Sequence, residues 1–106
     1  MTHSHNFEFW PFQDAENTLS YTTRPVLDGQ PILEVYHDHD GDWQFLCGTT
    51  LDGADLKLAC LGCMLDRDAS LAVLAKMPAG WRAVRNTPQS DWVLSAYEEE
   101  IDEDEA

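Results

Sequence analysis

A chain of 106 residues is long enough for one domain with one modest core, which buries roughly two-thirds of its unfolded surface. Hydrophobic residues make up 43%, with four Trp among them, and no run approaches the roughly 20 apolar residues that a membrane span needs. The net charge is −14, and the thirteen acidic and six basic residues outside the tail still leave −7, so phosphate backbones and anionic lipids are repelled and a basic protein is the expected partner.

The start, Met1-Thr-His-Ser-His-Asn6, has no basic region followed by an apolar run, so no signal peptide is expected. Cys47, Cys60 and Cys63 are an odd number. With no secretory signal, they read as reduced thiols in the cytoplasm.

Taken in chain order, residues 1–16 form an aromatic arm, Phe7-Glu-Phe-Trp-Pro-Phe12, expected to cover an open part of the core. Three Asp-Gly pairs follow at intervals of twelve residues: Asp28-Gly29, Asp40-Gly41 and Asp52-Gly53. Asp-Gly favours tight turns, because Gly tolerates positive φ and Asp bonds its own backbone. The segments between them predict an antiparallel β-meander with strands at about 18–27, 31–38, 42–48 and 54–60. Trp43, Phe45 and Cys47 alternate on one face of the third strand. Leu56, Leu58 and Cys60 share a face of the fourth.

Beyond Cys60 the period changes. Asp66 and Asp68 are both suitable N-caps for a short helix over 69–77, in which Leu71, Leu74 and Met77 share a face. Pro78 and Gly80 end it. A C-terminal hairpin follows, with Thr87-Pro-Gln-Ser90 as its turn. Its register sets Arg85 opposite Trp92 and Trp81 opposite Ala96. The expected class is α+β, a sheet with one short helix on one face, within a single domain over 1–97. The acidic tail, 98–106, offers only Ile101 for burial and is predicted to be disordered.

The stretch from Pro31 to Leu46, with its His-Asp-His-Asp-Gly-Asp-Trp run, resembles a family of small uncharacterised bacterial proteins. So do Leu65-Asp-Arg-Asp-Ala-Ser-Leu71, Met77-Pro-Ala-Gly-Trp-Arg-Ala-Val-Arg85 and Trp92, and the likeness spans roughly residues 20–95. The layout is also similar to immunity-type domains encoded near bacterial toxins. The resemblance implies no activity and carries no site residues.

Phosphate-loop, dinucleotide, zincin and nucleophile-elbow signatures are absent, so the non-catalytic reading ranks ahead of an enzyme without a sequence signature. His37-Asp-His-Asp-Gly-Asp42 imitates a calcium loop. Aligned on Gly41, however, Tyr36 takes the first ligand position and Cys47 the closing one, so the bidentate acid is missing. Cys60-Leu-Gly-Cys63 with His37 and His39 gives the residue set of a Cys₂His₂ zinc site. In a meander, one strand would separate the two halves. No cofactor is expected, and zinc on these four residues is the alternative. A redox role for Cys60 and Cys63 ranks below zinc, since that motif needs a thioredoxin-like βαβ setting at a helix N-terminus and a meander before it does not supply one. Arg82 and Arg85 beside Trp92 form the candidate contact surface, as Arg and Trp are enriched at binding hot spots. The expected function is a non-catalytic protein-binding module, immunity-like or accessory. A metal-binding protein and an enzyme are the alternatives.

Overall fold

The computed structural model describes residues 10–48 and 56–97. Among these residues, six strands form one mixed sheet: β1 (Leu19–Thr23), β2 (Glu34–His37), β3 (Trp43–Leu46), β4 (Leu56–Cys60), β5 (Trp81–Val84) and β6 (Val93–Ala96). Among the described residues, three short helical pieces accompany them: α1 (Arg24–Leu27), α2 (Leu61–Arg67) and a 3-10 helix (Ala69–Leu74). The fold is α+β, as the patterning predicts.

The strand order is β4-β1-β3-β2-β5-β6. This departs from a simple meander. β2–β3 and β5–β6 are sequential antiparallel pairs, but β1 lies between β3 and β4, parallel to the first and antiparallel to the second. Alternation along a strand decides which face it buries and leaves its neighbours open. The return of β1 to β3 encloses α1 and β2, the longer connection that parallel strands require.

The first strand is also shorter than expected. It stops at Thr23, where Pro25, which has no N–H to give a ladder, enters the first turn of α1. Gly29 (φ 118°) closes that turn, and Gly41 (φ 97°) closes the β2–β3 hairpin, where Asp38 N–H donates to the Asp42 carbonyl at 2.7 Å. The third Asp-Gly pair, the first nine residues of the arm and the acidic tail lie outside the described residues.

The expected helix over 69–77 resolves differently. The α-helix is α2, eight residues earlier, and the later segment is a 3-10 helix capped by Asp68, whose Oδ1 accepts from Ser70 N–H at 3.0 Å. The spacing explains this. Leu71, Leu74 and Met77 recur every three residues, the period of a 3-10 helix, and all three are buried.

One face of the sheet presents Val35, Trp43, Phe45 and Ala83 to Leu61, Met64, Leu71 and Leu74 from the helical pieces. Phe12 is buried and packs edge-on against Trp43. Ser20 and Thr22 of β1 point to this face too and are fully buried, with hydroxyls donating to the Ala59 and Phe45 carbonyls, each at 2.7 Å. The opposite face carries no helix among the described residues.

Candidate functional site

His37 ends β2, and its ring stacks on Trp43 with centroids 3.9 Å apart. Its Nδ1 lies 2.8 Å from the Met77 carbonyl. A carbonyl only accepts, so Nδ1 carries the proton, and in the neutral ring Nε2 is the acceptor. His37, Trp43, Asp14 and Lys76 line a cleft of about 670 Å³ at this end of the sheet. His39, in the hairpin turn, lies edge-on to Tyr97 and against Gly80.

Cys60 and Cys63 lie elsewhere. β4 and β2 point the same way, but β1 and β3 both stand between them, hence three strand spacings of roughly 4.8 Å, about 14 Å in all. The expected single intervening strand would have brought His37 and His39 within reach of the thiols. The observed order does not, since zinc ligands lie only about 2.0–2.3 Å from their metal. Among the described residues, no group of three or more His, Cys, Asp or Glu side chains is placed to hold a metal ion.

The two cysteines do meet each other. Cys60 is the N-cap of α2, and its Sγ accepts from Cys63 N–H at 3.2 Å and lies 2.9 Å from Cys63 Sγ. Burial and the neighbouring Cys60 push the Cys63 thiol up to about 11, and Asp66 adds to the rise. The sequence carries a sign of this arrangement, the two-residue spacing of the cysteines. Gly62 disguises the helix that surrounds it, because Gly lowers helix propensity.

The Arg82, Arg85 and Trp92 group separates into two roles. The hairpin register is the predicted one, with Trp81 opposite Ala96, and the Arg85 guanidinium carbon sits 4.1 Å over the Trp92 ring. Arg85 is nevertheless no surface residue: its side chain is 2% exposed. It points to the core face with Ala83 and is drawn inward by carbonyl and carboxylate partners. Nε and Nη2 both donate to the Ile32 carbonyl, Nη1 to Ser70 Oγ and the Pro88 carbonyl, and Nη2 to Asp68 Oδ2 at 2.6 Å. Arg82 is on the opposite, exposed face.

That opposite face is the feature the sequence reading missed. Across β4 and β1, Leu56, Leu58 and Leu19 point outward and are 48%, 57% and 60% exposed. Tyr21 lies between them, directly opposite Leu58. The row through Leu58 and Tyr21 continues across Gln44, Tyr36 and Arg82 to Ser95, and Val93, two residues before Ser95 on β6 and 63% exposed, shares this face. The alternation of Leu56, Leu58 and Cys60 was visible in the sequence; which side of the sheet they face was not.

Compared with protein-family models, with curated proteins and with solved structures, the chain matches none.

Proposed function

We infer that the chain is a non-catalytic protein-binding module of the cytoplasm, immunity-like or accessory in kind, that engages a basic protein through the uncovered face of its sheet. The observation that carries this reading is the one-sided sheet. Helical pieces cover one face, while the other presents Leu19, Leu56 and Leu58 as adjoining exposed side chains. Contiguous exposed apolar surface with a polar rim is characteristic of contact sites. The net charge of −14 supplies the complementary term, drawing a basic partner toward the surface and setting the salt sensitivity of the encounter. Arg82, on this face, is retained as a contact residue. Arg85 and Trp92 are assigned to the fold instead. The separation of its two halves by three strand spacings ranks the zinc alternative below this reading.

The test compares immobilised wild-type protein with Leu58→Asp, whose circular dichroism should match the wild type because Leu58 is exposed. A basic protein from the source cells should be retained by the wild type at low salt, released as salt rises, and lost from the variant. Equal retention by both proteins, or indifference to salt, would refute this assignment of the surface.

A further inference from the structure

Cys60-Leu61-Gly62-Cys63 carries chemistry that protein binding leaves unused. Three backbone N–H groups lock this turn. Leu61 donates to the Thr18 carbonyl at 2.9 Å, Gly62 to the Glu16 carbonyl at 2.8 Å, and Cys63 to Cys60 Sγ at 3.2 Å. On that fixed backbone the two sulfurs stand 2.9 Å apart, with the Cys60 thiol donating to Cys63. A disulfide requires cysteines whose backbones are close and whose side chains converge, and most pairs fail on one count. In this pair the sulfurs converge, and the Cys63 N–H itself reaches Cys60 Sγ.

We propose that Cys60 and Cys63 are a reversible dithiol–disulfide couple, oxidised by a low-molecular-weight disulfide of the glutathione class. The roles follow from exposure. Cys63 is partly exposed, whereas Cys60 is 8% exposed, so an incoming disulfide meets Cys63 first. The Cys63 thiol loses its proton and its sulfur attacks one sulfur of the reagent. A mixed disulfide forms, and the first half of the reagent leaves as a thiolate that takes up a proton. Cys60, already in contact, then gives up its proton and attacks the Cys63 sulfur, displacing the second half as another thiol. Two cysteine thiols have lost two electrons and two protons, and one reagent disulfide has become two thiols.

Cys47 is excluded from the couple by the sheet. The register of β1 places Leu19 beside Cys60, whereas Tyr21 pairs with Gln44, which sets Cys47 beyond the other end of β1. Five residues of strand, roughly 16 Å, separate them. Cys47 is also buried at 3% exposure. In a compartment kept reducing by thiols, a couple of this kind serves as a transient redox mark rather than a permanent staple. It forms beside Leu19, at the margin of the uncovered sheet face.

The test uses the full-length wild-type protein equilibrated in oxidised or reduced glutathione, then acid-quenched, unfolded, alkylated and peptide-mapped. In oxidised glutathione, alkylatable thiols should fall from three to one, the bond should map to Cys60 and Cys63, and Cys47 should be the residue alkylated. Reduced glutathione should restore all three. Cys47→Ser should go through the same transition, and Cys63→Ser should form no intramolecular bond. Three thiols surviving prolonged oxidation, or a bond that includes Cys47, would overturn the proposal. Because the wild-type map decides the matter, a variant that fails to fold does not obscure it.

Discussion

Arg85→Ala removes a guanidinium that joins four parts of the molecule: the approach to β2 at Ile32, the 3-10 helix at Asp68 and Ser70, the hairpin turn at Pro88, and the Trp92 ring. The magnitude follows from burial. With its side chain 2% exposed, Arg85 makes five hydrogen bonds, one of them also a salt bridge to an Asp68 side chain that is 24% exposed. Removing one partner of a buried ion pair strands the other and costs about 3–5 kcal/mol. For a chain of this size that is a fall in Tm of about 15 °C or more, and a large share of the 5–15 kcal/mol typical of a whole domain. Arg85→Lys keeps the charge and loses the fork, so roughly half that loss is expected. Trp92→Phe should cost less than about 1 kcal/mol, since the indole N–H has no partner among the described residues and a ring remains beneath the guanidinium. Urea titration of the three variants, with circular dichroism as the probe, gives the values. If Arg85→Ala costs under about 1 kcal/mol while Trp92→Phe costs more, the clamp is not what joins the 3-10 helix to the sheet.

Neighbouring threonines should respond with opposite sign. Thr22→Val breaks a buried bond to the Phe45 carbonyl and should cost about 1–2 kcal/mol, whereas Thr23→Val removes a buried hydroxyl with no partner among the described residues and should be neutral or stabilising by up to about 1 kcal/mol. Gly80→Ala forces a side chain onto φ 86° and brings its Cβ to 2.9 Å from the His39 ring, so thermal melts should show a loss of about 1–2 kcal/mol, partly recovered by adding His39→Ala. Folding holds Cys63 protonated up to about 11 from an ordinary 9.0. The native state therefore binds the extra proton between those values: this contribution is intact below pH 9, lost as pH rises through 11, and reduced-protein melts should weaken across that window, by at most roughly 1.4 kcal/mol per pH unit. The same raised thiol predicts that the rate of oxidation climbs about tenfold per pH unit from pH 7 toward 10, measured by thiol count against time.

Much of the sheet was legible because its signals are local. Alternation set Trp43, Phe45 and Cys47 on one face of their strand, and all three are 3% exposed or less. The hairpin register was legible because the turn residues set it, and Arg85 does lie over Trp92. Strand order was not legible. Whether β1 pairs with β2 or with β3 and β4 depends on which apolar faces the helical pieces can cover, and that is settled only when the whole core forms.

The helix was misplaced, and the redox pairing of Cys60 and Cys63 ranked below zinc. Placing the helix over 69–77 treated a spacing of three as if it were 3.6, and left Cys60 as a strand end and Cys63 as no more than the start of a helical turn. Once Leu71, Leu74 and Met77 are read as a period-three stripe, they need only the 3-10 segment, and the chain between β4 and Asp68 is available for α2. Cys63 then falls one helical turn from Cys60, and the two sulfurs must converge. The same correction settles the arginines. Asp68, fixed as the cap of the 3-10 helix, holds its carboxylate where the inward residue of β5's continuation can reach it, and that residue is Arg85. Arg82, three positions earlier, has the opposite parity along the strand and is left on the uncovered face with Leu58 and Tyr21. Parity therefore separates the arginine that holds the fold together from the one available to a partner, and Arg82→Ala should weaken partner binding while leaving the urea midpoint unchanged.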